Sequence, residues 1–172
     1  MINMEPISTT MEMTKEAVRK PEITQGEKEK FFKCVLADTP YTETMELFDG
    51  QMTVEFRTMT VQENNDVVTQ IAADRVAGTA QDNDAYFITL STYRLALCIE
   101  SIDGKPTKLP LKEAFIKNID SGDTYIAYRA KALKSWSTFK LAAFLEAFRT
   151  FEAKVVALTM EVQTKNFWKA GA

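Results

Sequence analysis

The sequence predicts an α+β fold, in which antiparallel β-hairpins pack against several helices and a long helix lies towards the C-terminus. Three observations support this fold class. The dipeptide Asp49-Gly50 separates two runs of alternating apolar residues, which is typical of a hairpin. Capping-box patterns begin at Thr24 and Thr60 and indicate two helix starts. Apolar residues then recur at separations of three and four between about positions 137 and 163, as in a long amphipathic helix.

The chain is expected to consist of one domain preceded by a tail. Of its 172 residues, 45% are hydrophobic, which is enough for a single core. Residues 1–23 are mostly polar, with scattered Met residues and with Pro6 and Pro21 at either side, so we expect a flexible N-terminal tail. Residues 24–172 should form a single α+β domain that ends in the long amphipathic helix.

The first hairpin is the clearest feature and extends from Met45 to Thr60. Asp49-Gly50 favours a two-residue type I′ turn, because both central residues of that turn need positive φ. Apolar residues alternate with polar ones on both sides of the turn, with Glu43 as the exception. The positions expected to face the core are Tyr41, Met45 and Leu47 before the turn and Met52, Val54 and Phe56 after it.

Helices are predicted on both sides of this hairpin. The capping box at Thr24 opens a helix that should end near Ala37, before Pro40. The box at Thr60 opens a helix that should end at Gly78, so that residues 41–77 form a β-β-α unit. The apolar positions at helical spacing are Phe31, Phe32, Val35 and Leu36 in the first helix and Val67, Val68, Ile71, Ala72 and Val76 in the second.

The segment from residue 86 to 102 is expected to form one long strand, or two strands separated by a bulge. It follows a polar loop over residues 78–84 and is rich in aromatic and β-branched residues, which favour strands. A helix over part of the segment is the alternative, since residues 94–98 suit either conformation.

A second hairpin turn is predicted at Asp103-Gly104, which repeats the earlier turn dipeptide. The strand after it should be short and should lie at a sheet edge, because Pro106 and Pro110 have no backbone N–H to donate. Residues 111–117 are then expected to form a short helix.

Two helices are predicted to complete the chain, from Tyr125 to about Leu133 and from near Ser137 to about Gln163. The second has a continuous apolar seam and spans about 40 Å, which is longer than one small sheet can cover. We interpret the seam as a core helix or as a surface partly buried by another subunit, and the two interpretations are compatible. Two aromatic residues near the C-terminus suit an anchor in a groove. The predicted partner-binding residues are Leu141, Phe144, Phe148, Phe151, Val155, Phe167 and Trp168.

Charge is unevenly distributed along the chain. The net charge is −3, but residues 125–172 contain eight Lys and Arg residues and three Glu residues, a balance of +5 that leaves −8 for the remainder. Two ordinary solvated surfaces would explain this pattern. The alternative is an electrostatic feature that orients self-association or a partner. The overall acidic balance argues against a dedicated nucleic-acid-binding protein.

Residue types that support catalysis or metal binding are scarce in the sequence. Histidine, the commonest general base and metal ligand, is absent. Cys34 and Cys98 are too few for a zinc site and are expected to be buried free thiols. The six glycines include no phosphate-binding loop. We therefore predict no enzymatic activity, no catalytic residue, no metal and no cofactor.

Two weaker patterns leave alternatives open. Loose acidic pairs are the candidates for an unrecognised carboxylate site of a small enzyme, although such pairs more often cap helices or face solvent. Trp136 lies among lysines, which suggests nucleic-acid contact, but a packed Trp beside an ordinary basic surface explains the pattern better. The acidic residues concerned are Asp82, Asp84, Asp120 and Asp123. The lysines near Trp136 are Lys131, Lys134 and Lys140.

No apolar run approaches the length of about 20 residues that a membrane-spanning helix needs, and no signal peptide is evident. We therefore predict no membrane partner and a cytoplasmic location.

Three sequence blocks together suggest a family resemblance. They are Leu47-Phe48-Asp49-Gly50 leading through residues 54–60 to Gln62-Glu63-Asn64, then residues 93–97 with residues 102–106, and finally the helix that ends in Asn166-Phe167-Trp168. Together they resemble small assembly proteins encoded among the tail genes of tailed phages, namely tail assembly chaperones and baseplate-hub assembly proteins. The resemblance covers the layout of roughly residues 31–168.

This resemblance implies a non-enzymatic role in virion morphogenesis. Tail chaperones coat the tape-measure protein until the tail tube polymerises around it, bind through exposed apolar surfaces and often self-associate. The implied partners are the tape-measure or hub protein and further copies of the chain, in the host cytoplasm during assembly. No catalytic residue is transferred. The alternative is a structural virion subunit, such as a baseplate, tube-initiator or head–tail connector component, which would remain in the particle.

Overall fold

The computed structural model describes residues 22–107, 109, 112, 116 and 123–163. Within these residues, helices and a four-stranded sheet form the predicted α+β fold. In chain order, the elements are α1 (Gln25–Leu36), β1 (Thr42–Leu47), β2 (Met52–Arg57), α2 (Val61–Val76), α3 (Asn83–Cys98), β3 (Ile99–Ile102), β4 (Lys105–Pro106), α4 (Tyr125–Lys134) and α5 (Thr138–Gln163).

The sheet has the order β1-β2-β3-β4, with every neighbouring pair antiparallel. Met45 pairs with Val54 in the first hairpin, and Val54 pairs with Ile102 on the other side of β2. A bulge between Glu55 and Phe56 shifts the register between β2 and β3. As predicted, β4 is a very short edge strand that ends at Pro106.

Both predicted hairpin turns are present. Asp49 and Gly50 have φ values of 54° and 80°, and the Gln51 amide donates to the Phe48 carbonyl oxygen at 3.1 Å. These are the positive φ values that a type I′ turn needs. The predicted two-residue length of this connection was wrong. Phe48 also has positive φ, the last strand pair is Leu47 with Met52, and the loop between them has four residues. Asp103-Gly104 forms the second turn, again with positive φ at both residues.

Both capping boxes are confirmed. The Thr24 hydroxyl oxygen accepts from the Glu27 amide at the start of α1, and Thr60 does the same with Glu63 at the start of α2. The apolar stripes of these helices are narrower than predicted. The buried positions are Phe31, Val67 and Ile71, whereas Val35, Leu36, Val68 and Val76 are exposed.

The prediction of strands over residues 86–102 was wrong for most of that segment. Asn83–Cys98 is the helix α3, and only Ile99–Ile102 is a strand. Asp82 caps the helix by accepting a hydrogen bond from the Ala85 amide at 2.7 Å. Burial of consecutive residues at its C-terminal end outweighs the preference of aromatic and β-branched residues for strands. The helical alternative for part of the segment was therefore correct.

Arg129 marks the point where α3 becomes β3. This side chain is buried, and its guanidinium donates to the carbonyl oxygens of Ala96 and Ile99, the second at 3.1 Å. Carbonyl groups at a helix end lack partners within the helix, so a cation that donates to them stabilises the end. A residue from the predicted basic segment thus helps to fix the transition from helix to strand.

The two C-terminal helices are close to their predicted ranges. In α5, the seam residues Phe144, Phe148, Phe151 and Leu158 are buried against the sheet and the other helices. The ring centroid of Phe56 in β2 lies 5.4 Å from that of Phe148 and 5.7 Å from that of Phe151. The inward face of the first hairpin is therefore the floor on which α5 packs.

Several sequence predictions lie outside the described residues. These are the tail up to residue 21, most of the short helix at 111–117, Asp120, and the aromatic pair Phe167 and Trp168.

Candidate functional site

A groove of about 350 Å³ lies where the segment between β2 and α2 meets α3 and α5. We call it the hairpin groove. It is lined by Arg57, Thr58, Met59, Thr60, Val61 and Asn64 from the end of β2 to the start of α2, by Arg94 and Cys98 from α3, and by Phe148, Phe151, Glu152, Val155 and Val156 from α5.

The groove has an apolar floor and an exposed apolar rim. Phe148 and Phe151 belong to the core and form part of the floor. Val61 is 79% exposed and Val156 is 54% exposed, and they come from different walls. Exposed apolar side chains around a concave surface are a common feature of sites that bind another apolar group. The arrangement suits the insertion of apolar side chains from a ligand.

Arg57 stabilises one wall through a network of ion pairs. Its Nη1 and Nη2 atoms lie 2.8 and 2.6 Å from the two carboxylate oxygens of Glu63, and its Nε lies 2.6 Å from Glu100. Burial alone would raise the pKa of Glu63, but hydrogen bonds from Arg57 and Thr60, together with the charge of Arg57, outweigh it and hold that pKa below its ordinary value. This network fixes the start of α2 against the sheet.

Arg94 and Glu152 form a second ion pair in the groove, with 2.9 Å between Nη1 and Oε1. The Nε atom of Arg94 is buried without a hydrogen-bond partner among the described residues. Burial raises the pKa of Glu152 in spite of the opposing charges of Arg94 and Arg149. The Arg94–Glu152 pair thus leaves one buried guanidinium nitrogen without a hydrogen-bond partner among the described residues, whereas all three guanidinium nitrogens of Arg57 have carboxylate partners.

Cys98 contributes a thiol to the groove but little reactivity. The residue is 1% exposed, and burial raises the pKa of its thiol to about 12. A thiol with so high a pKa carries almost no thiolate at neutral pH, which makes it a poor nucleophile. Both Cys34 and Cys98 are free, and Cys34 is only partly buried.

The predicted partner-binding residues fall into different environments. Phe144, Phe148 and Phe151 are at most 2% exposed, so their rings belong to the core of this chain. Leu141 and Val155 are half-buried, and Val155 lines the groove. Partner binding by the seam as a whole remains a prediction. Among the residues that line the groove, a partner can reach Val155 and the exposed rim valines Val61 and Val156.

Sequence reasoning missed the exposed and charged members of the site. Val61 lies directly after a capping residue, and Val156 is next to a seam position, so neither stands out by periodicity. Arg94 and Glu152 are 58 positions apart and only the fold brings them together. One local pattern in the sequence does indicate part of the site. The capping box at Thr60 follows directly after β2, which places Glu63 of the box beside Arg57 at the end of that strand.

The weaker sequence candidates have structural explanations. Asp82 caps α3, and Asp123 lies 2.5 Å from the exposed ammonium group of Lys131. Among the described residues, no group of three or more metal-ligating side chains converges. Trp136 packs against Phe144 with ring centroids 4.9 Å apart, and the Lys140 ammonium lies 4.1 Å above its ring.

The fold and the groove define this chain as an α+β protein with a mixed apolar and charged cleft between its hairpin and its long helix. No family model matches the chain, and no match was found among curated proteins or solved structures. Within the described residues, no helix has both the length and the hydropathy needed to cross a membrane.

Proposed function

We propose that this protein is a non-enzymatic assembly factor of phage tails, a chaperone that binds an apolar segment of the tape-measure or hub protein in the hairpin groove. The resemblance of the three sequence blocks to tail assembly proteins suggests the class of client. The observation on which the proposal rests is the groove itself, with exposed Val61 and Val156 at its rim.

The groove suits a transient client better than a buried structural contact. Its apolar rim is small and is bordered by Arg94 and Glu152, so the protein can present it without exposing a large apolar surface. Binding through a few apolar anchors with a polar border is typical of interfaces that form and dissociate. A chaperone needs this reversibility, because it leaves when the tail tube polymerises.

The test is co-expression of the tagged chain with the tape-measure protein, and separately with the hub protein, encoded in the same genome. We expect the client to co-purify with the wild-type chain and to be lost when Val61→Asp and Val156→Asp are combined. Val68→Asp is the matched control, because Val68 is a similarly exposed valine of α2 that does not line the groove.

Three outcomes would contradict the proposal. The first is that neither client co-purifies with the wild-type chain. The second is equal client retention by the groove variant and the Val68→Asp control. The third is the presence of this chain at fixed stoichiometry in purified mature virions, which would instead support the structural-subunit alternative.

A further inference from the structure

The charged side chains that line the hairpin groove give it a positive balance. They are Arg57, Arg94 and Glu152, two cations and one anion, which leaves +1. The two glutamates that pair with Arg57 do not line the groove. A positive balance beside an apolar floor favours a ligand that carries a negative charge next to its apolar groups.

The donors of Arg57 are already in use within the protein. Its Nη1, Nη2 and Nε atoms all lie within 2.8 Å of carboxylate oxygens, on two different glutamates. A carboxylate from a ligand would have to displace one of these strong pairs. The cation of the groove that can accept a new partner is therefore Arg94.

Arg94 has more donors than acceptors around it. A guanidinium group carries five N–H donors, and among the described residues the one ion-pair partner of Arg94 is Glu152, 2.9 Å from Nη1. The Nε atom is buried and has no hydrogen-bond partner in this part of the chain. A buried donor without an acceptor is unfavourable, so a ligand that supplies an acceptor would stabilise the site. The Arg94 side chain as a whole is 35% exposed, which lets a ligand reach the guanidinium from the groove.

We infer that the hairpin groove binds a client segment in which an Asp or Glu side chain pairs with Arg94 while neighbouring apolar side chains pack beside Val61 and Val156. This inference rests on the proposed function and specifies the chemistry of its client. A carboxylate suits the guanidinium because it can accept two parallel hydrogen bonds from it. A basic side chain at the same place in the client would lie beside Arg94, so the site selects against basic segments of equal hydrophobicity.

The experiment uses three labelled synthetic peptides and fluorescence polarisation with the full-length chain. The peptides carry the same leucines and differ only in one residue between them, which is Glu, Gln or Lys. We expect the Glu peptide to bind about tenfold more tightly than the Gln peptide, and the Lys peptide to bind most weakly.

Two substitutions test the role assigned to Arg94. Arg94→Gln should remove the preference for the Glu peptide over the Gln peptide. Glu152→Gln should strengthen binding of the Glu peptide, because it removes the carboxylate that competes for the guanidinium. Arg75→Gln is the matched control and should keep the preference, because Arg75 is an exposed arginine of α2 that does not line the groove.

Equal binding of the Glu and Gln peptides, or a preference that persists in Arg94→Gln, would overturn the inference. So would weaker binding of the Glu peptide to Glu152→Gln, or the absence of binding by all three peptides, when circular dichroism shows that the chain is folded. If Arg94→Gln does not fold, the result for Glu152→Gln decides. Self-association of the wild-type chain that is lost in Arg94→Gln would identify a second copy as the occupant and would also overturn the inference. Each of these results leaves the co-purification test of the proposed function intact, so the two failures are distinguishable.

Discussion

At the scale of single residues, Lys154 connects three elements of the fold. Its ammonium group on α5 pairs with Glu27 at the start of α1 and lies 2.5 Å from Glu43 in β1. The Lys154 side chain is only 15% exposed. The apparent exception in the alternating pattern of β1, Glu43, is therefore explained by an internal partner that lies 111 residues away.

We predict that Lys154→Met destabilises the protein by about 2–3 kcal/mol, because two partly buried carboxylates would lose their cation. Urea unfolding measures this change. The control is Lys131→Met, which removes an exposed ion pair and should cost less than about 0.5 kcal/mol. Equal effects of the two substitutions would contradict the structural role assigned to Lys154.

The ion pairs of Lys154 also predict that the free energy of unfolding depends on pH. The hydrogen bond from Lys154, together with that from the Thr24 amide, lowers the pKa of Glu27 from its ordinary value of 4.5 to about 2. A carboxyl group with a lowered pKa stabilises the fold above its unfolded pKa, and this contribution disappears as the pH falls. The free energy of unfolding should thus decrease between about pH 4.5 and pH 2. The decrease should be smaller in Lys154→Met, and an unchanged slope in that variant would refute the linkage.

At the scale of elements, turns and caps are determined locally, whereas the identity of α3 is not. The capping boxes at Thr24 and Thr60 and the two Asp-Gly turns depend on residues that are adjacent in sequence. The segment from residue 86 to 102 has strand-forming composition but becomes mostly helical. Its cap at Asp82 is local, but the burial of its C-terminal residues and the hydrogen bonds from Arg129 to the carbonyl oxygens of Ala96 and Ile99 are not. Arg129 is too distant in sequence to be found by a local pattern.

Two glycines give stability predictions of opposite sign, namely Gly50 in the first hairpin turn and Gly26 in α1. Gly50→Ala should destabilise the hairpin by about 1 kcal/mol, because its φ of 80° is unfavourable for a residue with a Cβ. Gly26→Ala should stabilise the protein by about 0.5–1 kcal/mol, since Gly26 lies in α1 with open space around an added Cβ. Thermal unfolding of the two variants measures both changes. A stabilising Gly50→Ala would show that the turn does not need positive φ.

At the scale of the whole molecule, the charge asymmetry of the sequence is partly internal. Of the eight cations in residues 125–172, Arg129 is buried and Lys154 lies within the network between α1 and β1. The basic surface is therefore smaller than the composition suggests. Any electrostatic orientation of a partner depends on the remaining exposed residues, such as Lys134 and Arg149.

The seam of α5 gives a prediction about the whole core. Phe148→Ala should cost about 3–5 kcal/mol, because a buried ring in contact with Phe56 is removed and a cavity remains. Phe139→Ala should cost less than about 1 kcal/mol, since Phe139 is 75% exposed and its ring stacks on Phe48 in the loop after β1. Chemical denaturation distinguishes the two. A small effect at Phe148 would mean that the seam is not core.

The burial of Phe148 also determines how the seam can be tested for partner binding. A charged substitution at Phe148 would unfold the protein and so abolish any interaction indirectly. Val61 and Val156 are exposed, and substitutions there report on the groove with little effect on stability.

The sequence by itself determined the fold class, the first hairpin, the two capped helices beside it and the extent of α5. These depend on periodicity, capping and turn preferences, which act over a few residues. Only the tertiary structure decided that residues 83–98 are helical, that Glu43 and Lys154 meet, and that Arg94 and Glu152 face each other across a groove. Those features arise from contacts between distant parts of the chain, and burial and charge pairing there outweigh local preference.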